Sequence, residues 1–160
     1  MVINRADLLM LQPIVNMLDG KVSRHGVSYG LSEAGYDIRI NQEVRFSRKD
    51  HGVYVAGVFS PGRFALASTM EEFDMPTNLV GVVHDKSTWA RRCLSVFNTV
   101  IEPGWKGYLT LELVYHGEED LIIPSGAGIA QVLFHELSQS ASYNGKYQNQ
   151  ENRPVPAREG

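Results

Sequence analysis

Residues His84–Glu112 read HDKSTWARRCLSVFNTVIEPGWKGYLTLE, and this one segment combines a helix start, a turn and a strand with polar side chains. Residues 87–92 resemble a short helix of about two turns at most. A β-like run and the Pro103-Gly104 turn follow, and the segment ends in a strand that carries Glu112. It therefore brings a possible anion site and a possible acid–base group close together along the chain.

Strand patterns dominate the sequence on both sides of this segment. Tyr36, Ile38 and Ile40 alternate with polar residues, as in a strand with one buried face. Similar patterns predict strands at 36–40, 44–46, 53–55, 64–69, 79–83, 95–97, 109–115, 121–123 and 129–137. Residues 6–11 predict a short helix, whereas the polar, glycine-rich residues 20–34 predict a loop. Many short strands separated by turns favour a mainly β protein, either a barrel or a sandwich.

Length and composition favour a single domain with a polar tail. At 160 residues the chain is long enough to bury one hydrophobic core. Residues 1–137 carry the strand patterns and are predicted to form that domain. Residues 138–160, which we call the tail, are poor in aliphatic side chains and cannot bury a core of their own. We expect the tail to be disordered, or to be ordered by a ligand or a neighbouring subunit.

Charge, cysteine content and hydropathy argue against several classes of protein. The net charge of −3 gives no electrostatic basis for binding nucleic acid, so phosphate binding requires a local site. Cys93 is the only cysteine, which excludes an internal disulfide and a multi-cysteine zinc site. The start of the chain lacks the pattern of a signal peptide, and no apolar run is long enough to span a membrane. We therefore expect a cytoplasmic protein with no membrane partner.

The polar start of the short helix is a candidate anion site. Asp85 or Ser87 can cap the helix, which leaves backbone N–H groups free at its start. Lys86 lies at this start, and Arg91 lies one turn after Ser87. Together with the hydroxyl groups of Ser87 and Thr88, these cations can converge on an anion. The alternative is a solvated surface turn with an ordinary cap.

Glu112 is the candidate acid–base residue. In Tyr108–Leu113, strand alternation places the three leucines on one face and Thr110 with Glu112 on the other. A carboxylate on that face can act in acid–base catalysis when a closed site covers it. The alternative is a solvated glutamate on the outer face of a sheet.

Several known nucleotide and metal motifs do not occur. The H-x-E and P-C-x-x-C signature of zinc-dependent base deaminases is missing, and the five histidines have no paired metal-ligand spacing. The G-x-x-x-x-G-K-[ST] and G-x-G-x-x-G motifs are also missing, which argues against P-loop and Rossmann sites. No zinc site is therefore predicted, and any deamination would proceed without a protein-bound transition metal.

The order of several motifs resembles the dCTP deaminase family, relatives of the trimeric dUTPases. Lys86–Arg91 is similar to the family motif R-S-S-L-A-R, and Ile101–Glu112 is similar to I-D-P-G-W-x-G-x-x-x-L-E. The other matching segments are 35–39, 61–67, 125–131 (P-G-x-x-I-x-Q) and 146–150 (K-Y-x-x-Q). These matches follow one another in an unbroken order, which makes the resemblance specific.

The resemblance implies a dUTPase-like distorted β-barrel or jelly-roll subunit with few short helices. It also implies a homotrimer with active sites between subunits, dCTP and dUTP as small-molecule ligands, and Mg2+ bound with the triphosphate. The implied enzyme is a hydrolase acting on the cytosine amidine C–N bond, which converts dCTP to dUTP and ammonia. The tail would close over the active site as a lid.

The resemblance also implies roles for individual residues. Glu112 would be the catalytic proton shuttle, Ser87 would orient the attacking water, and Arg91 would balance charge near Glu112 and the phosphates. The implied substrate-binding residues are Lys86, Ser87, Thr88, Arg91, Asn98, Thr99, Val100, Glu102, Thr110, Leu111, Glu112, Gln131, Tyr143, Lys146 and Gln150. Within this set, backbone at 98–100 would read the base edge, and Glu102 would lie near the deoxyribose 3′-hydroxyl.

The chain differs from the family pattern at Lys86, Thr88, Asn98 and Glu102. Asn98 stands where the family has a small alanine, which alters the base pocket and leaves dCTP, dCMP and 5-substituted cytosine nucleotides open as substrates. Two other functions remain open beside dCTP deamination. One is a bifunctional enzyme that continues to dUMP and diphosphate, and the other is a non-catalytic nucleotide-binding trimer.

Overall fold

The computed structural model describes residues 1–160 and contains two helices and fourteen strands. The helices are α1 (Arg5–Leu11) and α2 (Ser87–Ala90). The strands are β1 (Val2–Ile3), β2 (Lys21–Arg24), β3 (Val27–Leu31), β4 (Tyr36–Arg39), β5 (Val44–Ser47), β6 (Gly52–Val55), β7 (Val58–Pro61), β8 (Phe64–Asp74), β9 (Leu79–Asp85), β10 (Leu94–Val96), β11 (Val100–Ile101), β12 (Lys106–Tyr115), β13 (Leu121–Ile123) and β14 (Gly128–Glu136). The prediction of a mainly β fold with few short helices is therefore confirmed.

Three sheets organise the strands. The largest has seven strands in the order β11-β9-β14-β4-β3-β2, with β1 pairing with β14 off this path. A second sheet has the order β10-β12-β8, and a third has the order β13-β5-β6-β7. Strand β12 is the middle strand of the second sheet: β8 pairs with it from Lys106 to Val114, and β10 pairs with it over Leu113–Tyr115. This placement fixes the strand that carries Glu112.

One hydrophobic core joins the sheets. Its buried side chains run from Leu8 in α1 to Phe134 in β14, and they include Ile38 and Leu111. A single contiguous cluster of this kind is what one folded domain buries. Neither helix is long and apolar enough to cross a lipid bilayer.

The loop predicted for residues 20–34 is wrong, because β2 and β3 form a hairpin there. Arg24 pairs with Val27 across a two-residue turn. His25 and Gly26 in that turn have φ angles of 55° and 73°, the left-handed conformation that type I′ hairpin turns require. Every residue of β2 is exposed, so the strand has no apolar alternation for a sequence pattern to reveal.

Helix α2 lies where the sequence predicts it, but no side chain caps it. Lys86 occupies the N-cap position, and neither Asp85 nor Ser87 makes the expected cap. Asp85 Oδ1 instead accepts a hydrogen bond from the Val96 backbone N–H at 2.7 Å. Trp89 anchors the helix, since its indole Nε1 donates to the Gly128 carbonyl at 2.6 Å. Core packing therefore holds α2 in place.

The tail packs against the rest of its own chain. The Ala141 N–H donates to the Thr77 carbonyl at 2.9 Å, and the Tyr143 N–H donates to the Pro103 carbonyl at 2.8 Å. Val155 near its end is only 6% exposed, although it lies outside the main core cluster. Hydrogen bonds to the rest of the chain thus replace the apolar core that the tail lacks.

Candidate active site

Strand β12 directs Thr110 and Glu112 away from the core, as its alternation predicts. Leu109, Leu111 and Leu113 are buried, whereas Thr110 and Glu112 are partly exposed. In the pairing of β12 with β8, Glu112 lies opposite Leu66. The candidate carboxylate is therefore held by a strand inside a sheet, which positions a side chain more rigidly than a loop does.

The Glu112 carboxylate has no partner from another side chain. Burial raises its pKa above the ordinary value for glutamate, and only the residue's own backbone hydrogen bond opposes this effect. A carboxylate whose pKa is raised accepts a proton more readily than an ordinary glutamate does. The local environment of Glu112 is therefore suited to acid–base chemistry.

A cavity of about 530 Å³ lies over this face of β12. Thr110 and Glu112 line it from β12, and Phe64 and Leu66 line it from β8. The other lining residues are Thr99, Val100, Ile101, Glu102, Trp105, Leu109, Tyr143, Tyr147, Gln150, Val155 and Ala157. The volume and the mainly apolar lining are those of a small-molecule site with a few polar groups.

The cavity brings together part of the predicted site. The predicted residues that line it are Thr99, Val100, Glu102, Thr110, Glu112, Tyr143 and Gln150. The predicted residues that do not line it are Lys86, Ser87, Thr88, Arg91, Asn98, Leu111, Gln131 and Lys146. A single chain therefore assembles the surroundings of Glu112 but leaves the Lys86–Arg91 segment apart from them. The roles assigned to these residues remain predictions.

Thr110 connects the cavity to the tail. Its Oγ1 accepts hydrogen bonds from Gln150 Nε2 at 2.9 Å and from the Val155 backbone N–H at 3.0 Å. Gln150 Nε2 also donates to the Tyr108 carbonyl at 2.9 Å, and Gln150 is only 7% exposed. The tail thus contributes a wall of the cavity that is bonded to the same strand as Glu112.

Lys86 directs its charge into the sheet. Its Nζ lies 2.7 Å from Asp37 Oδ2 and donates to Ser28 Oγ at 3.1 Å. The side chains of Lys86 and Asp37 are 12% and 3% exposed, and Asp37 Oδ1 is buried with no hydrogen-bond partner. In contrast, Ser87 and Arg91 are exposed. The cation of this segment that faces the surface is therefore Arg91, whereas Lys86 is engaged by a carboxylate of its own chain.

The other predicted residues outside the cavity have varied surroundings. Leu111 is 2% exposed in the core, and Gln131 lies in β14 opposite His84 of β9. Asn98 is exposed beside the cavity-lining Thr99, and Lys146 Nζ donates to the Arg158 carbonyl within the tail.

Sequence reasoning missed the apolar wall of the cavity and the end of the tail. Phe64 and Leu66 lie in a predicted strand, on either side of the buried Ala65. Strand alternation therefore places both side chains on the face opposite Ala65, the face that lines the cavity. Trp105 and Tyr147 lie within the family-like segments 101–112 and 146–150, but they were not predicted as site residues. Both line the cavity. Val155 had no comparable signal, because it is an isolated aliphatic residue in a polar segment.

Similarity to proteins of known sequence identifies the family. A family model described as dCTP deaminase-like matches residues 55–137. The dCTP deaminase of Campylobacter concisus (strain 13826) is 37% identical over an alignment of 164 positions, gaps included, and the alignment covers 89% of this chain and 88% of the relative. The dCTP deaminase of Herpetosiphon aurantiacus is 35% identical over an alignment of 168 positions, which covers 92% of this chain and 90% of the relative.

Solved structures with the same fold are dUTPases. The native EIAV dUTPase superposes with a TM-score of 0.54 at 16% identity and covers 84% of this chain and 91% of its own. The Staphylococcus bacteriophage 80alpha dUTPase has a TM-score of 0.55 at 16% identity and covers 91% of this chain and 95% of its own. These similarities show a dUTPase-like fold. The family model over residues 55–137 and the relatives at 35–37% identity establish that the chain belongs to the dCTP deaminase family.

Proposed function

We propose that the protein deaminates dCTP to dUTP and ammonia, with Glu112 as the proton shuttle. The observation that carries this proposal is an unpaired, partly buried carboxylate of raised pKa in a cavity of about 530 Å³. Membership of the dCTP deaminase family supports the choice of substrate, because relatives at 35–37% identity carry that name. Burying a charged carboxylate without a partner costs free energy. A protein that only binds nucleotides has no use for such a group, whereas a proton shuttle requires it.

The proton balance of the reaction needs one group that accepts and donates twice. As the water oxygen forms a bond to C4 of cytosine, Glu112 takes one water proton and delivers it to N3. Glu112 then takes the remaining hydroxyl proton and delivers it to the exocyclic N4. The C4–N4 bond breaks, ammonia leaves, and the C4 carbonyl of uracil forms. Glu112 ends in its starting state, as a shuttle must.

The cavity provides positions for the rest of the nucleoside. Backbone at 98–100 would read the polar edge of the base, and Glu102 would lie near the 3′-hydroxyl of deoxyribose. Thr110, two positions before Glu112 on β12, supplies a hydroxyl group, and Gln150 of the tail donates a hydrogen bond to it. The apolar side chains of Phe64 and Leu66 would exclude water from the reacting atoms, which strengthens electrostatic interactions there.

The phosphate-binding part of the site would come from a second copy of the chain. Ser87 and Arg91 are exposed and do not line the cavity of their own chain. In a cyclic homotrimer, a head-to-tail interface brings such a surface to the cavity of the next subunit. There Arg91 would neutralise phosphate charge and Ser87 would orient the attacking water. Exposed apolar residues beside the cavity, Phe97 and Val100, would be covered by the same interface.

Mg2+ would accompany the triphosphate and would be held through it. The chain brings together no group of three or more His, Cys, Asp or Glu side chains that could hold a metal ion. Mg2+ commonly keeps several water ligands and binds through substrate phosphates, so it needs no such group. When bound, the ion neutralises phosphate charge, while Lys146 and Gln150 of the tail would close over the phosphates.

Incubation with dCTP and separation of the products tests the proposal. We expect dUTP and ammonia to accumulate in equal amounts. Accumulation of dUMP and diphosphate instead would indicate the bifunctional enzyme, and absence of any product with intact nucleotide binding would indicate a binding protein. Parallel assays with dCMP and 5-methyl-dCTP would define the preference that Asn98 leaves open.

A further inference from the structure

The middle of the tail occupies a free edge of β12. Strand β12 pairs with β8 along its length, but its other partner, β10, begins to pair only at Leu113. The tail fills the vacant edge, where Gly107 and Gln150 form a parallel bridge. The Asn149 N–H donates to the Lys106 carbonyl at 2.9 Å, and the Tyr108 N–H donates to the Gln150 carbonyl at 3.1 Å. This short ladder alone is too small to hold a polar segment firmly.

The side chain of Gln148 adds the hydrogen bonds that this ladder lacks. Its Oε1 accepts from the Lys106 backbone N–H at 2.7 Å. Its Nε2 donates to the Gly104 carbonyl at 3.0 Å and to the Tyr143 carbonyl at 3.1 Å. One carboxamide therefore joins the turn before β12 to two points of the tail. None of these partners is a side chain, so the contacts depend only on the path of the backbone.

Two neighbouring contacts show that the tail is seated closely on this turn. Trp105 Nε1 donates to the Tyr147 carbonyl at 2.6 Å. A Cβ atom on Gly107, which has φ of 138°, would lie 2.6 Å from the Gln150 backbone nitrogen. The backbone of the tail thus rests directly on the glycine backbone of β12, and Gln148 sits at the centre of the contact.

We propose that Gln148 is a positioning residue that holds the tail as one wall of the Glu112 cavity. The tail residues lining that cavity are Tyr143, Tyr147, Gln150, Val155 and Ala157. Gln150 and Val155 both reach Thr110, two positions before Glu112 on the same face of β12. Releasing Gln148 would therefore open the cavity without altering any group that touches the substrate. The effect on nucleotide binding rests on the proposed function, whereas the attachment of the tail does not.

The variant Gln148→Glu tests the attachment. It keeps an acceptor for the Lys106 N–H, removes both Nε2 donations and places a negative charge beside two carbonyl oxygens. Asn149→Asp is the matched control, because it makes the same chemical change at the next residue, whose exposed side chain has no hydrogen bond. Aspartate also tolerates the φ of 59° at this position.

Three measurements separate the attachment of the tail from its effect on function. In native protein, trypsin cleavage after Lys146, followed by mass spectrometry, reports how often the tail opens. We expect cleavage of Gln148→Glu to be roughly tenfold faster or more, the factor expected for two lost hydrogen bonds. Calorimetry with dCTP should show a comparable loss of affinity, and kinetics should show a raised KM with a smaller change in kcat. Asn149→Asp should match the wild type in all three. Gln148→Ala serves as a second variant should Gln148→Glu fail to fold.

Unchanged cleavage in Gln148→Glu and Gln148→Ala would overturn the proposal. Faster cleavage with unchanged dCTP affinity would overturn the role of the tail as a wall of the cavity. If the wild type neither binds nor converts dCTP, the proposed function fails, and the cleavage rates alone still decide whether Gln148 holds the tail.

Discussion

The Glu112 cavity and the Lys86–Arg91 segment are both fixed by the fold, but only the cavity is complete within one chain. Two paired strands, the β11 region and the tail surround Glu112 on several sides. The Lys86–Arg91 segment is attached to the rest of the chain by the Trp89 hydrogen bond and by the Lys86–Asp37 ion pair. Its Ser87 and Arg91 are exposed at the surface. The first region forms a cavity within the chain. The second exposes polar side chains that can contact a molecule outside the chain.

This difference indicates how the two regions divide the chemistry. An enclosed carboxylate with a raised pKa suits proton transfer to a base. An exposed arginine on a firmly anchored turn suits phosphate binding, because guanidinium groups bind phosphate oxygens in a fixed geometry. If both act on one nucleotide, a subunit boundary must bring the second region to the first. Variants can alter each region separately and then show whether the two regions act together.

The largest expected effect is the loss of turnover in Glu112→Gln. The amide keeps the shape of the side chain but cannot accept the proton of the attacking water, so kcat should fall by roughly 10²–10⁴-fold or more. Affinity for dCTP, measured by calorimetry, should change little, because the residues proposed to bind the phosphates lie elsewhere. Turnover equal to that of the wild type would show that Glu112 is not the shuttle.

The next effect concerns the anchor of the Lys86–Arg91 segment. Lys86→Met leaves Asp37 buried without its partner, and breaking a buried pair on one side costs about 3–5 kcal/mol of unfolding free energy. Denaturant titration measures this loss. Lys21→Met is the control, because it breaks the exposed Lys21–Glu33 pair, whose loss should change the unfolding free energy little. Equal losses in the two variants would show that the Lys86–Asp37 pair is not a structural anchor.

The smallest effect is a pH-dependent gain in stability when Glu112 is neutralised. Burial raises the folded-state pKa of Glu112 above its unfolded-state value, so the folded chain binds this proton more tightly. The contribution of Glu112 to stability therefore falls as pH rises from the unfolded-state pKa through the folded-state pKa. Glu112→Gln should melt at a higher temperature than the wild type above this window and at a similar temperature below it.

Glu136→Gln is the control for that comparison, since Glu136 is an exposed glutamate on a strand. Its melting temperature should follow the wild type at every pH. A Glu112→Gln variant that is less stable than the wild type at neutral pH would contradict the desolvated state of the carboxylate.

The sequence predicts those features that depend on local alternation. The period of two along β12 correctly separates the buried leucines from Thr110 and Glu112. The β2–β3 hairpin escaped prediction, because β2 is exposed throughout and its pairing comes from backbone hydrogen bonds. A strand is recognised in a sequence by apolar residues that alternate because one face is buried. Strand β2 has no buried face and therefore no such alternation.

Local sequence patterns also could not predict contacts between residues that are far apart in the chain. Lys86 meets Asp37, 49 positions earlier, because β14 pairs with both β9 and β4 and so joins the two segments. Gln148 reaches Lys106, 42 positions earlier, through backbone groups that carry no signal in the sequence. The family resemblance pointed to Lys86 and the tail, but only the fold shows what each of them contacts.

Mixing two inactive variants tests most directly whether the two regions meet across a subunit boundary. Glu112→Gln and Arg91→Ala, carrying different affinity tags, are co-expressed, and the mixed oligomers are purified through both tags. If each site of a cyclic trimer takes Glu112 from one chain and Arg91 from the next, every mixed trimer has about one intact site in three. We predict dCTP deaminase activity of this order in the mixed oligomers and none in either variant alone. Mixed oligomers as inactive as the separate variants would contradict the shared site.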